Sequence, residues 1–573
     1  MSRIVFIYNK SNVFGLQQDV KLLEKTLAPL GKIGIADPQE PPVACDLAVH
    51  FEIPYYGWMA WAKRNVIVVN PEWWEDAWNP YLLKADALIF KCSADRKHFL
   101  SKLTNPPESF VLPWACPTKS ADFVTYPKSS DKKLLWLLGG SCNKRLAAQK
   151  ILPMWKAEWP ELHVYTTSVL ECGTLSPNVI LTVRDMDKDI RNQLQAYYPG
   201  HLIFSASEAL GISALESQAA GAFLLGNSLP TYCETFADNA FVHLTPSTLE
   251  PLKGGLQDTF SGLSLEASIK AFLEVNVDAS RKFQVHASIK RYLAFVKSAE
   301  TVFKKILDKE GVNIKSLPPV SEICPPISVI TLLHNRRRFV DLAFHNLLIT
   351  DYPKDKIEWV VIEDSDDMNE QASDKIIKFG TQSAPLTVTY IPLHKKTSIG
   401  EKRNMAVQRA QHDIILMMDD DDHYPATSFR RRVGWLLEHP WNPSAVVSTT
   451  IACYDLLKGI SAVNTPPWNL ALRERVSEAT LAFKKSFWEE KNFPDVSVSE
   501  GEGFLEGRET SVLEIPPQQI IVAMSHGKNS TSRHIPPDAA PSCFWGFPKE
   551  FLIFLHRLAG VEVDESASSA SAS

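Results

Sequence analysis

A mixed α/β chain built from parallel, doubly wound sheets is the fold class the sequence predicts, and three observations predict it. Short apolar runs such as "RIVFIYN" and "NVIVVN" alternate with helical patterns from the first residues onward. Those runs are continuous rather than alternating, as strands covered on both faces are. At 573 residues the chain is too long for one core, so several such sheets must follow one another.

The elements fall in three series. "RIVFIYN", the helix "DVKLLEKTLAPLG", "DLAVHF", "NVIVVN" and "DALIFKC" make the first, placed at residues 1–125. "KKLLWLLGG", "HVYTTS", "VILTV", "HLIFSAS" and "AFLLGNS" make the second, at 126–307. The four prolines of "KEGVNIKSLPPVSEICPPI" disfavour helix and mark a connector at 308–326. A third series occupies 327–555: "ISVITLLHNR", a helix "RFVDLAFHNLLI", "IEWVVIEDSDD", "LTVTYIPL", a helix "GEKRNMAVQRAQ" and "DIILMMDDDD". Residues 556–573 form a tail whose end, "DESASSASAS", is expected to be disordered.

Composition excludes several classes. With 45% hydrophobic and 22% charged residues the chain is globular, and its net charge of −6 gives no footprint for nucleic acid or an anionic membrane. Nine widely spaced cysteines without a C-x-x-C pair indicate reduced thiols. The start reads as a first strand rather than a signal peptide, and no run approaches the length of a membrane span. The expectation is a cytoplasmic protein with no integral membrane segment.

The chemistry begins at "ILMMDDDDHYP", where four aspartates follow an apolar strand. Adjacent carboxylates repel by up to about 4 kcal/mol per close pair before relaxation. They are therefore either splayed into water or arranged around a positive charge. "WVVIEDSDD" ends in acidic residues too, and ligands of open α/β sheets bind beyond the carboxyl ends of strands. Two acidic clusters at one edge suit Mg²⁺ or Mn²⁺ held together with a phosphorylated ligand.

"GEKRNMAVQRAQHDIILMMDDDD", "SVITLLHNR" and "WVVIEDSDD" together resemble glycosyltransferase family 2, of the GT-A fold, over roughly residues 327 to 530. The resemblance implies Mn²⁺ or Mg²⁺ on Asp421 and Asp419, with Asp421 the direct ligand, Asp419 nearer the ribose and Asp422 behind them. It implies Asp364 at the base and Arg403, Asn404 and Asn335 around the nucleotide. A Glu-Asp motif normally supplies the base of this inverting transfer. "SVSEGEGFLEGR" offers Glu502 first and Glu500 second, without the aspartate. In "AMSHGKNSTS", His526 falls where a metal-closing histidine is expected, with His423 as its competitor.

In the N-terminal half, "SASEALGISALESQAAGAFLLGNS" sets Glu208 in a turn and Glu216 on the helix that follows. A helix start suits a diphosphate. The stretch resembles the E-x(7)-E signature of retaining GT-B enzymes of glycosyltransferase family 4, which implies Glu216 on the ribose and Glu208 beside the donor sugar. "LWLLGGSCNKRL" supplies Lys144 and Arg145 for the phosphates, and no metal is implied. Glu52 and Glu72 lie among aromatics that read as core.

The sequence thus reads as GT-B followed by GT-A, a bifunctional transferase. It would use UDP-, GDP- or dTDP-sugars and an oligosaccharide or glycoconjugate acceptor. In the alternative, one half binds or scaffolds glycan, or the chain is a nucleotidyltransferase.

Overall fold

In the computed structural model residues 2–12, 15–116, 120–311, 320–527, 529, 542–543 and 545–561 are described. Residues 312–319 of the expected connector and 562–573 of the expected tail lie outside them. The chain divides into two compact units. The first holds Met1–Pro38, Cys45–Tyr55 and Ala62–Gly311; the second holds Gln39–Ala44, Tyr56–Trp61 and Val312–Ser573.

The first unit carries two all-parallel sheets. Strands β1 (Ser2–Ile7), β2 (Gly31–Ala36), β3 (Leu47–Phe51), β4 (Asn65–Val68), β5 (Ala87–Phe90) and β6 (Ser109–Val111) pair in the order β2-β1-β3-β4-β5-β6. Strands β7 (Leu134–Gly139), β8 (Leu162–Thr166), β9 (Val179–Val183), β10 (Gly200–Leu202), β11 (Phe223–Asn227) and β12 (Val242–Thr245) pair as β12-β11-β10-β7-β8-β9. A hairpin of β13 (Leu249–Leu252) and β14 (Gly255–Asp258) follows. β3, β4 and β5 are buried at every residue, which is why their sequences are unbroken apolar runs. The sequence reading did not anticipate β2 and β6. They are edge strands, and glycines interrupt β2 at 31 and 34.

A helix of 31 residues, Val277–Leu307, closes this unit. Its Phe295, Ala299, Phe303 and Ile306 share one core with Leu16, Val20, Leu23 and Leu27 of the helix Gly15–Leu27. Nearer its start, Gln284 donates to the carbonyls of Ala222 and Phe241, the residues just before β11 and β12, so the same helix is tied to the second sheet as well.

The second unit is built on β15 (Ile327–Leu333), β16 (Ile357–Glu363), β17 (Thr387–Pro392), β18 (Ile414–Met417), β19 (Ala445–Val447), β20 (Ile451–Asp455), β21 (Ile460–Asn464), β22 (Ala482–Lys484), β23 (Val512–Glu514) and β24 (Val522–Ser525). A seven-stranded sheet runs β17-β16-β15-β18-β22-β19-β23, parallel up to β18, with β22 antiparallel to both neighbours. A smaller sheet runs β21-β20-β24. Two doubly wound sheets followed by this mixed one are the GT-B and GT-A plans that the resemblances imply.

Strand order reverses between β1 and β3, between β7 and β10, and between β15 and β18. Each reversal opens a crevice at the strands' carboxyl ends. The candidate site residues sit beside the last two. Among the described residues, no helix is long and apolar enough to cross a membrane.

Candidate functional site

β18 delivers the aspartate run to its crevice, and β24 fixes it there. His423 and Val522 exchange both backbone hydrogen bonds, at 3.0 and 2.8 Å. Met524 N–H donates to Asp422 Oδ1 at 2.8 Å, and the Tyr424 hydroxyl accepts from Asp419 N–H at 2.9 Å. Carboxylate oxygens of Asp419, Asp421 and Asp422 lie within 4.8 Å of one another. A close set of hard oxygens, two of its carboxylates buried, fits a divalent cation.

The repulsion in the run is answered by cations supplied from other elements. Arg336, just past β15, donates to Asp421 and lies 3.4 Å from Asp420 Oδ1. His526 Nε2 lies 3.0 Å from Asp421 Oδ2, and the imidazole stacks on Phe339 at 4.1 Å. Burial alone would raise the Asp421 carboxyl, but His526 and Arg336 hold it below its ordinary value. Burial and the charge of Asp421 push Asp420 well above the carboxylate range. His423 instead packs among Phe547 and Phe551, where burial lowers its pKa to about 3. Of the two histidines, His526 is the one against the cluster.

Asp364, after β16, is buried and accepts from Lys402 Nζ at 2.9 Å, Thr397 N–H at 2.9 Å and His334 Nδ1 at 3.1 Å. Asn335 adopts left-handed backbone and braces the same loop, donating to Asp366 Oδ1 at 2.6 Å. The helix Ile399–Arg409 supplies Lys402, a residue the sequence reading passed over for its neighbours. Arg403 is buried and donates to Glu500 Oε1 through Nε at 3.0 Å and Nη2 at 2.9 Å. Asn404 was expected at the nucleotide. Its amide instead bonds Phe493 and the Trp488 indole, tying the helix to the segment behind it, and it does not line the cavity.

That cavity, about 870 Å³, brings Asp419, Arg403, Glu500 and Glu502 together with Glu478, which the sequence reading missed. Glu478 Oε1 accepts from Gly501 N–H at 3.1 Å. Burial and the charge of Glu500 push its carboxyl up, with Arg403 opposing.

In the first unit a cavity of about 490 Å³ is lined by Gly139, Lys144, Glu208, Glu216 and Glu72. Gly211 has φ +74°, and an added Cβ would lie 2.5 Å from Tyr232 Cε1, so the turn carrying Glu208 requires glycine. Lys144 Nζ donates to Ser213 Oγ at 2.6 Å and lies 4.0 Å from Glu208 Oε1. Glu216 is buried and accepts from Gln195 at 3.5 Å. Arg145, the other expected phosphate ligand, bonds Ser168 Oγ at 2.5 Å and does not line this cavity. Glu72, beside Glu208, is pushed up to about 8 by burial and by that neighbour's charge. Trp74 is core, whereas Trp73 is exposed and lines the cavity.

No curated protein matches the chain. Similar solved structures include the mannosyltransferase PcManGT from Pyrobaculum calidifontis, in complex with GDP-Man and Mn²⁺, at 17% identity over 40% of this chain and 63% of that one, TM-score 0.30. S. aureus TarS 1-349 matches at 17% identity over 35% of this chain and 60% of its own, TM-score 0.28. WaaG, a glycosyltransferase involved in lipopolysaccharide biosynthesis, matches at 16% identity over 52% of this chain and 99% of its own, TM-score 0.39. The chain thus spans less than two thirds of the first two. Residues 328–469, which hold β15 to β18 and the aspartate run, match the family model Glycosyl transferase family 2, so the second unit carries a glycosyltransferase family 2 domain.

Proposed function

We propose that the chain is a bifunctional, cytoplasmic glycosyltransferase acting on nucleotide sugars and a glycan acceptor, metal-dependent and inverting in the second unit, metal-independent and retaining in the first. One observation carries the reading. In the second unit, a three-carboxylate cluster with a histidine follows β18, the buried Asp364–Lys402 pair follows β16, and Asp419 of the cluster lines a cavity with a second set of carboxylates. Bound on Asp419, Asp421 and Asp422, Mn²⁺ or Mg²⁺ would neutralise a departing nucleoside diphosphate. Asp364 and Asn335 shape the nucleoside side, and Arg403 fixes Glu500 at the cavity wall. In the first unit Lys144 faces the diphosphate, and Glu208 and Glu216 the sugar and ribose.

The test is release of nucleoside diphosphate by the full chain across UDP-, GDP- and dTDP-sugars, with and without EDTA. Asp421→Asn is expected to abolish the EDTA-sensitive part, and Glu216→Gln the EDTA-insensitive part. EDTA-sensitive turnover that survives in Asp421→Asn overturns the metal-site assignment.

A second reading, in which the first unit binds glycan without consuming a donor, is favoured by the charge of its cavity. Five carboxyl groups (Asp19, Glu52, Glu72, Glu208, Glu216) meet three cations (Lys91, Lys144, Arg191). With Glu72 pushed up to about 8 and largely protonated at neutral pH, four carboxylates face the three cations, an excess that opposes a diphosphate. Turnover that disappears completely with EDTA selects this reading.

A further inference from the structure

Gly501 is a vacancy filled by another residue's side chain. An added Cβ at this position would lie 2.7 Å from Glu478 Oε1 and 2.8 Å from its Cγ, closer than real Cβ atoms come. A Glu-Asp pair starting at Glu500 would place its aspartate at 501, and glycine stands there. Glu478 reaches that place from 23 positions earlier in the chain, with its Oε1 held by Gly501 N–H at 3.1 Å.

We infer that Glu478 is the catalytic base of the second unit, occupying the space of the missing aspartate. The inference rests on the transfer reading above and names the group that reading lacks. Four glutamates line the cavity with Asp419: Glu474, Glu478, Glu500 and Glu502, of which Glu474 is exposed and caps its own short helix, accepting from Ala471 N–H at 2.9 Å. Glu500 is engaged by Arg403 through two donors on one oxygen, at 2.9 and 3.0 Å, which fixes it as a structural ion pair. Glu502 follows two residues later on the same short helix, about 200° around its axis. Glu478 is half-buried at the cavity wall, and burial and the charge of Glu500 raise its carboxyl above its ordinary value, with Arg403 opposing.

The step balances. Glu478 takes the proton of the acceptor hydroxyl while that oxygen bonds to the anomeric carbon. The anomeric carbon's bond to the diphosphate oxygen breaks, and its electron pair leaves with the nucleoside diphosphate. Glu478 then returns the proton to water.

The experiment measures the EDTA-sensitive donor turnover of the full chain, with the donor that the panel identifies and water or a sugar as acceptor. Glu478→Gln keeps the size and the acceptor for Gly501 N–H. Its turnover is expected to fall about 100-fold or more, while binding of Mn²⁺ with UDP or GDP, by calorimetry, is unchanged. The double variant E478A/G501D restores a carboxylate to the same space. It is expected to exceed E478A alone by roughly tenfold, a rescue that a merely structural glutamate does not give. Wild-type turnover in E478Q overturns the inference, as does loss in E502Q with E478Q intact, or no rescue in the double variant. If the wild-type chain shows no EDTA-sensitive turnover of any donor, the transfer reading itself fails, whatever the variants do.

Discussion

Lys402 Nζ lies 2.9 Å from Asp364 Oδ1, and both side chains are buried at the switch point of the third sheet. Removing one partner strands the other charge away from water. Lys402→Met is expected to destabilise the second unit by roughly 3–5 kcal/mol, and K402M/D364N to recover most of that. Urea unfolding of the three proteins checks it. Equal stability of wild type and Lys402→Met rejects the pair as a structural contributor.

Arg336 is the positive charge already among the aspartates, bonded to Asp421 and 3.4 Å from Asp420. A divalent cation shares that field with it. Arg336→Gln is expected to bind Mn²⁺ about tenfold more tightly without nucleotide, read by titration calorimetry. Unchanged affinity means the guanidinium does not reach the ion's field.

Asp95 gives a pH dependence of defined sign. Burial, and then the charge of Glu234, push its carboxyl from 3.8 to about 7. Between those values the folded chain holds a proton that the unfolded chain has lost, so stability falls as pH rises through the window. Asp95→Asn removes the loss. It is expected to gain on the order of 3 kcal/mol over wild type at pH 8 and nothing at pH 4. Thermal melts at both values decide it, and an equal gain at both rejects the titration.

Gly211 precedes the helix Ile212–Ala220 with φ +74°. Gly211→Ala is expected to cost about 2–4 kcal/mol, from left-handed strain and from overlap with Tyr232. Gly57→Ala, where an added Cβ meets nothing within 4 Å, is the control. Similar denaturation midpoints for the two variants refute the argument.

Much of this was legible in the sequence, for physical reasons that also mark where it stopped. β15, β16 and β18 are parallel strands covered on both faces, so they appear as unbroken apolar runs, and acidic residues follow β16 and β18 where they meet the crevice, whereas β15 runs into His334, Asn335 and Arg336. β19, β22 and β23 are three residues each, too short to show a period. Lys402 escaped notice because successive helical residues point about 100° apart. Which of Lys402 and Arg403 faces Asp364 depends on where the helix starts, and Ser398 caps it through Glu401 N–H at 3.1 Å. Glu478 belongs to no motif. Its importance arises from a side chain that residue 501 does not have.

The helix Val277–Leu307 has a consequence for synthesis. It completes the core begun by Leu16, Val20 and Leu23, so the opening helix stays half-covered until the ribosome has added roughly 270 more residues, about 15–55 s at ordinary elongation rates. Through that interval a leucine-rich face is open to solvent and to other chains. The nascent first unit is therefore a client for whatever shields apolar surface during translation, and truncation before residue 295 leaves it without Phe295, Ala299, Phe303 and Ile306, which finish that core.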